Sequence, residues 1–336
     1  MMNRVNDQED VGARSIVVTG GAGFIGSHLV ERLLDAGNVV TVLDRQMGKN
    51  LREVVGNKNF TFVQVDVRDA ETLHQLVPRD ATHIFHLSSI VGIKHYMADP
   101  LGVMDVNVGG TRNVLEVARA RDAKVLLTST SEVFGKNPKT PWKEDDDRVL
   151  GSTSVDRWSY SSSKAVAEHM VLAAHKAYGL KATVTRFFNV YGPRQPPDLL
   201  VSQSIFKALR GERPLLYDGG SMTRCLTYVD DAVEGTLRAM FYTGTDGEVF
   251  NLGNPREVTV RQVVEAVLKH AGTVDAWEDV DTAQRFGKAY EDILRRVPDV
   301  AKAERVLDWR AEVPMEVGVR RTVEWARAEP EWLVRA

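Results

Sequence analysis

The sequence predicts an α/β chain: a doubly wound parallel sheet with a smaller C-terminal substrate-binding lobe. Three observations predict it. Short apolar runs alternate with amphipathic helical stretches from residue 14 to residue 190, the first apolar run ends in a glycine-rich turn, and the second ends on an acidic residue, Asp44. Strands separated by helices imply right-handed crossovers and a sheet covered on both faces.

Ile16, Val17 and Val18 read as a fully buried strand, and SHLVERLLDA at 27–36 places Leu29, Val30, Leu33 and Leu34 on one helical face. Between them lies TGGAGFIG, residues 19–26. Gly20 allows a tight bend, Gly23 lets the main chain approach a pyrophosphate, and Gly26 lets the helix pack on the strand. Phe24 and Ile25, inside the same turn, join the predicted cofactor contacts. The amide groups at the start of that helix then face the phosphates. VVTVLD at 39–44 ends on Asp44, whose carboxylate accepts hydrogen bonds from both ribose hydroxyls and repels a 2′-phosphate. A Rossmann-type site for NAD rather than NADP is the expectation, with Arg45 the one neighbour that offsets the repulsion.

The alternation continues. TFVQVDV at 61–67, THIFHLSS at 82–89 and KVLLTSTS at 124–131 read as strands, with a short helix at 69–77 and a long one at 100–121. Ligands of such sheets bind at the carboxyl ends of the strands, which gathers the glycine turn, Asp66, Val67, HLSS and residues Ser129 to Glu132 along one edge. A polar stretch to residue 157 reads as a surface loop, and WSYSSSKAVAEHMVLAAHKAY as a helix ended by Gly179. After the strand ATVTRFFNV, the segment NVYGPRQPPD at 189–198 breaks the pattern. The predicted organisation is a disordered polar tail at 1–13, a cofactor-binding domain at 14–190, and a mostly substrate-binding lobe at 191–336. A strand at 248–253 returns to the sheet, and helices at 258–271 and 313–328 belong to the smaller lobe.

A chain of 336 residues supports a large core, and its net charge of −3 gives no electrostatic case for nucleic acid or an anionic membrane surface. The single cysteine, Cys225, excludes an internal disulfide and fits a reducing, cytoplasmic setting. No apolar run is long enough to span a bilayer. His83, His86 and His95 have no cysteine or carboxylate partners at metal-ligand spacing, so no metal site is expected. Trp325 and Trp332 read as packing residues.

The chemistry centres on YSSSK at 160–164, where Tyr160 and Lys164 share a helical face. A phenol is a poor base at neutral pH, and a nearby ammonium favours the phenolate. Tyr160 can then take a proton from a substrate hydroxyl, Lys164 can hold the nicotinamide ribose, and Thr130 can share the substrate proton.

TGGAGFIG, DVRD at 66–69, HLSS, NVGGT at 107–111, STSEVFG at 129–135, YSSSK and NVYGPR together resemble the extended short-chain dehydrogenase/reductases that act on nucleotide sugars. These are the NAD-dependent epimerase/dehydratase family. The resemblance covers nearly the whole chain. It implies that Gly20, Gly23 and Gly26 hold the pyrophosphate, Asp44 the ribose, and Asp66 with Val67 the adenine. Thr130, Tyr160 and Lys164 would be the catalytic set. Asn189 and Arg224 would face the sugar nucleotide, with Ser131 and Arg194 also on the substrate side, and NAD would be regenerated within one cycle. A UDP-sugar is the implied substrate.

STSE, RWSY at 157–160, DGG before Cys225 and GKAYEDILRRVPD at 287–299 are similar to uronate decarboxylases. Oxidising C4 of a UDP-hexuronate makes a β-keto acid; Glu132 is then placed to handle a proton and Arg224 to stabilise enolate charge. NVYGPRQPPD is instead similar to 4-epimerases, including those acting on uronates. Decarboxylation ranks first, 4-epimerisation second and dehydration third. Phe134 stands where the family often has Tyr, a change that keeps the ring. The family commonly pairs the helices at 100–121 and 159–178 across a two-fold axis, and Met104, Val108, Met170 and Ala174 exceed what one sheet-facing stripe needs, so a homodimer is expected.

Overall fold

The computed structural model describes residues 13–273, 276–281, 293 and 295–334. The expected tail, apart from residue 13, lies outside the described residues, as does much of GKAYEDILRRVPD. The sheet is seven-stranded and parallel. Its strands are β1 (Ser15–Thr19), β2 (Val39–Asp44), β3 (Phe60–Gln64), β4 (His83–His86), β5 (Lys124–Thr130), β6 (Ala182–Phe187) and a last strand, Val249–Leu252. In space they run Val249–Leu252, β6, β5, β4, β1, β2, β3.

β1 therefore sits between β2 and β4, with Val17 opposite Thr41 on one side and Ile84 on the other. The chain moves outward from β1 in one direction through β2 and β3, then returns and moves in the other. Ligands of doubly wound sheets bind at such a reversal, outside the carboxyl ends of the strands.

Successive residues of β1 serve opposite faces. Ile16 and Val18 pack with Leu29, Val30 and Leu33 of α1 (Phe24–Asp35). Val17 packs with Val114 and Val117 of the helix Gly110–Arg121. This two-sided burial is why the strand reads as a continuous apolar run. The first of these apolar clusters continues into helices Leu200–Leu209, Val260–Ala271 and Met315–Ala328 and ends at Trp332, so the C-terminal residues close over the same core. Trp325 and Trp332 meet edge to face with centroids 5.6 Å apart, as packing residues do. The strand Val249–Leu252 returns to the sheet edge, pairing Val249 with Val184 of β6.

After β3 come α2 (Ala70–Leu76) and, beyond β4, α3 (Ile93–Ala98). The stretch 100–121 is not one regular helix. Asp99 caps α4 (Pro100–Met104), a π-helical turn spans Asp105–Gly109, and α5 (Gly110–Arg121) follows. The wide turn holds Asn107 inward, fully buried, where its side chain accepts from Ser89 Oγ at 2.8 Å and donates to Ser163 Oγ at 2.9 Å. Such bulges recur at functional sites because they re-aim a side chain without ending the helix. Hydrophobic periodicity cannot register one extra residue in a turn.

Helix α6 (Arg157–Tyr178) ends at Gly179, whose φ of +68° supplies the left-handed cap. Between β5 and α6 the polar stretch folds as a loop, with Phe134 stacked on Trp142 at 5.0 Å between centroids. Among the described residues no helix is long and apolar enough to cross a membrane.

Candidate active site

The glycine turn leaves β1 with Gly20 at φ +71°, and a Cβ there would lie 2.7 Å from the Ser88 backbone nitrogen. A Cβ on Gly26 would lie 2.3 Å from the Gly20 carbonyl oxygen, so α1 is pressed against the turn. On Gly23 it would meet that carbonyl alone, at 3.2 Å, which leaves the other side of the main chain open to a ligand. Helix α1 starts at Phe24 with no side-chain cap, so its leading N–H groups are uncapped donors at that opening.

At the end of β2, Asp44 accepts from Ala22 N at 3.1 Å and Arg45 N at 2.8 Å. Burial pushes its carboxyl above the usual range, and those two N–H groups offset only part of the effect. A partly desolvated acceptor beside the phosphate turn fits the hydroxyls of a ribose. The turn and Asp44 together fit the pyrophosphate and adenosine ribose of NAD. Asp66 is engaged by Arg68, which donates Nη2 to Oδ2 at 2.7 Å and holds the carboxyl below its ordinary range. Val67 is buried, and its carbonyl accepts from Asn113.

Tyr160 and Lys164 both lie buried on the first turns of α6. The phenol is hydrogen-bonded by Ser89, from the loop after β4, and by Thr130, the last residue of β5. The structure thus brings Tyr160, Thr130 and Lys164 to one place. The phenol is not lowered as the lysine spacing predicts. Burial raises it first and Glu132 second, while Ser89, Thr130 and Arg296 oppose them. The Lys164 ammonium is lowered by burial to about 8, with Glu168 opposing.

Thr130 also accepts from Glu132 N at 3.2 Å and so caps the short 3-10 turn Ser131–Phe134. Ser131 is buried at its start. Glu132 meets two guanidiniums: Arg296 Nη1 at 2.6 Å on Oε1 and Arg157 Nη2 at 3.5 Å on Oε2. Arg157 is fully buried at the start of α6.

The remaining substrate-side residues are spread out. Asn189, at φ +41°, donates to the Cys225 carbonyl at 3.2 Å and so joins its strand end to the segment that carries Arg224. Arg224 donates to the Thr223 carbonyl at 2.8 Å, in a strand pairing Arg224 with Val258. Arg194 lies instead beside α1, donating to Ser27 Oγ at 3.3 Å and Glu31 at 2.6 Å. Cys225 is buried, which pushes its thiol up to about 12.

Residue-by-residue reading of the sequence did not single out Ser89, Tyr96, Asn107, Arg157 or Arg296. Arg157 and Arg296 sit inside RWSY and RRVPD, segments noted without a role for the arginines, and their pairing through Glu132 joins parts of the chain that no spacing rule connects. Tyr96, from α3, stacks on Tyr160.

The GDP-mannose 4,6 dehydratase family profile matches residues 17–322. A UDP-N-acetyl-alpha-D-glucosaminuronate decarboxylase of Bacillus cytotoxicus is 36% identical over 317 residues, covering 93% of this chain and 97% of that protein. UDP-glucuronic acid decarboxylase 1 of Xenopus tropicalis is 35% identical over 325 residues, covering 95% of this chain and 73% of that protein. The solved UDP-glucose 4-epimerase of Thermus thermophilus, in complex with NAD, superposes with a TM-score of 0.82 at 32% identity, covering 93% of this chain and 99% of that one. The parallel sheet, the glycine turn with Asp44, and a profile match from β1 almost to the C-terminus agree. The chain belongs to the GDP-mannose 4,6 dehydratase family of NAD-dependent nucleotide-sugar enzymes.

Proposed function

We propose that this enzyme oxidises C4 of a UDP-hexuronate, UDP-glucuronate foremost, and releases the C6 carboxylate as carbon dioxide. One observation carries the reading: at the Thr130–Tyr160 pair the Glu132 carboxylate holds two guanidiniums, Arg157 and Arg296, beside the reacting carbon. Guanidiniums at that place suit an anionic sugar and the negative charge that develops as its carboxylate leaves. The two similar decarboxylases support the same reading.

NAD, held by Gly20, Gly23, Gly26 and Asp44 with Phe24 and Ile25 alongside, supplies the hydride acceptor and donor. Tyr160 takes the C4 hydroxyl proton, with Thr130 sharing it, and Lys164 holds the nicotinamide ribose while its charge works against the burial and the Glu132 carboxylate that raise the phenol. The C4 ketone lies β to the carboxylate, so the C5–C6 bond breaks and its electron pair moves into the ketone as an enolate. Tyr160, now protonated, and Thr130 donate to that oxygen. Glu132 holds Arg296 and Arg157 in place beside the carboxylate and handles the proton delivered to C5. Asp66 with Val67 border the adenine; Ser131, Asn189, Arg194 and Arg224 border the sugar nucleotide.

The enzyme acts as a homodimer in the cytoplasm on this reading. Met97, Leu101, Met104 and Val166 are exposed apolar residues on α3, α4 and α6, three helices packed on one another, while Val108 and Met170 are half-buried and Ala174 is taken up by the core. The lone buried thiol fits a reducing compartment.

Arg296→Met tests the chemistry. Carbon dioxide release from UDP-glucuronate should fall on the order of 100-fold, while a 4-keto sugar nucleotide, trapped by borodeuteride, still forms. Unchanged release would remove Arg296 from the reaction.

A further inference from the structure

We propose that the buried Glu168–Arg186 pair is the positioning element of the proton-transfer site, locking the end of β5 to the helix that carries Tyr160 and Lys164. The inference rests on the roles given above to those two residues.

Glu168 lies one helical turn beyond Lys164 on α6, 5% exposed. Its carboxylate accepts from Ser129 Oγ. Arg186 of β6 grips it with Nε at 3.1 Å on Oε1 and Nη2 at 2.8 Å on Oε2. The third guanidinium nitrogen, Nη1, donates to the Glu144 carbonyl at 2.7 Å, and the plane covers Phe134 at 4.9 Å. Ser129 precedes Thr130, and Phe134 closes the 3-10 turn that carries Glu132. The pair therefore ties together the strand end bearing Thr130, through the carboxylate, the turn bearing Glu132, through the guanidinium on Phe134, and the helix bearing Tyr160 and Lys164.

Packing alone does not explain an ion pair there. Two charges buried together repay their desolvation poorly, and apolar residues of similar volume hold a core as well. Glu168 does what an apolar residue cannot: its charge favours the Lys164 ammonium against burial. The groups that bear on this part of the site are Glu168 and Tyr160 on α6, His86 on β4, held neutral by burial, and, towards Tyr160, Glu132, Arg296 and Tyr96. Of these, Glu168 is the one that stabilises the Lys164 charge.

The test uses the full chain with bound NAD and a nucleotide sugar that the wild type converts, whichever product results. Glu168→Gln leaves Arg186 buried without its partner and is prone to unfold, so the double variant Glu168→Gln/Arg186→Met carries the charge arm. Its kcat/KM profile should lose activity on the alkaline side at a pH about one unit lower than wild type. Ser129→Ala cuts only the tie to β5; kcat should fall about tenfold with the alkaline limb unmoved. A double variant with native circular dichroism and a wild-type limb overturns the proposal, as does wild-type kcat in Ser129→Ala. Lys164→Met is the control: persistence of the limb there would overturn the reading of Lys164 itself, a different failure.

Discussion

The ring of Tyr160 lies face to face with that of Tyr96, their centroids 4.5 Å apart and their planes within 6°. The phenol is thus held flat against a second aromatic ring from α3, with its oxygen hydrogen-bonded by Ser89 and Thr130. Tyr160→Phe keeps this stack and removes the oxygen alone. The variant should fold and bind NAD as the wild type does, yet lose turnover by about 10²- to 10⁴-fold. Steady-state rates alongside NAD titration check it; near-wild-type turnover would remove Tyr160 from proton transfer.

The ribose contact proposed for Asp44 is open to a direct test. Asp44→Asn removes the charge from the carboxylate that bridges the glycine turn and Arg45. NAD should bind about 10- to 100-fold more weakly, the loss expected of hydrogen bonds to a charged group, while discrimination against NADP relaxes. Calorimetric titration with both nucleotides reads the outcome. Equal affinities before and after the change would place the ribose elsewhere.

Acid stability should report a buried histidine. His86 bridges Thr19 and Thr111 through its two ring nitrogens, and burial lowers it to about 3 from an ordinary 6.5. Below pH 6.5 the unfolded chain takes up a proton that the folded chain refuses until about pH 3. Stability therefore falls as pH drops through that window, with this one ring adding about 1.4 kcal/mol per pH unit. His83, lowered to about 4, acts in the same direction. His86→Gln should flatten the acid limb of stability measured by urea unfolding. A limb of unchanged steepness would show that His86 is protonated in the fold.

Much of this architecture was legible in order along the chain. Two-sided apolar runs marked the parallel strands, Gly179 marked the end of α6, and the glycine turn and Asp44 marked where β1 passes into α1 and where β2 ends, because each is a local pattern with a local physical cause. The parts that were not legible are those in which distant segments meet. Arg296 reaches Glu132 from the far end of the chain, Tyr96 reaches Tyr160 from another helix, and Glu168 finds Arg186 on a strand. The π-turn that aims Asn107 is invisible to periodicity. Arg194 reads as a substrate contact by its motif, and its hydrogen bonds to Ser27 and Glu31 of α1 are another meeting of distant segments.

The exposed apolar residues of these helices predict the assembly. Leu101 is 69% exposed, and Met97 on α3 and Met104 on α4 are exposed as well. Exposed apolar clusters of this kind mark interfaces. Leu101→Glu should convert a dimer to a monomer by light scattering at micromolar concentration without altering the circular dichroism. A wild-type protein that is already monomeric would contradict the dimer.

The central claim is that the C4 ketone is followed by loss of the carboxylate, and one measurement bears on it most directly. Wild-type enzyme is incubated with NAD and UDP-glucuronate labelled at the carboxyl carbon, and both the gas and the sugar nucleotide are analysed by mass and NMR. The account predicts labelled carbon dioxide and a UDP-pentose. A UDP-uronate of unchanged mass, inverted at C4 and with the label retained, would contradict it and assign the enzyme to 4-epimerisation.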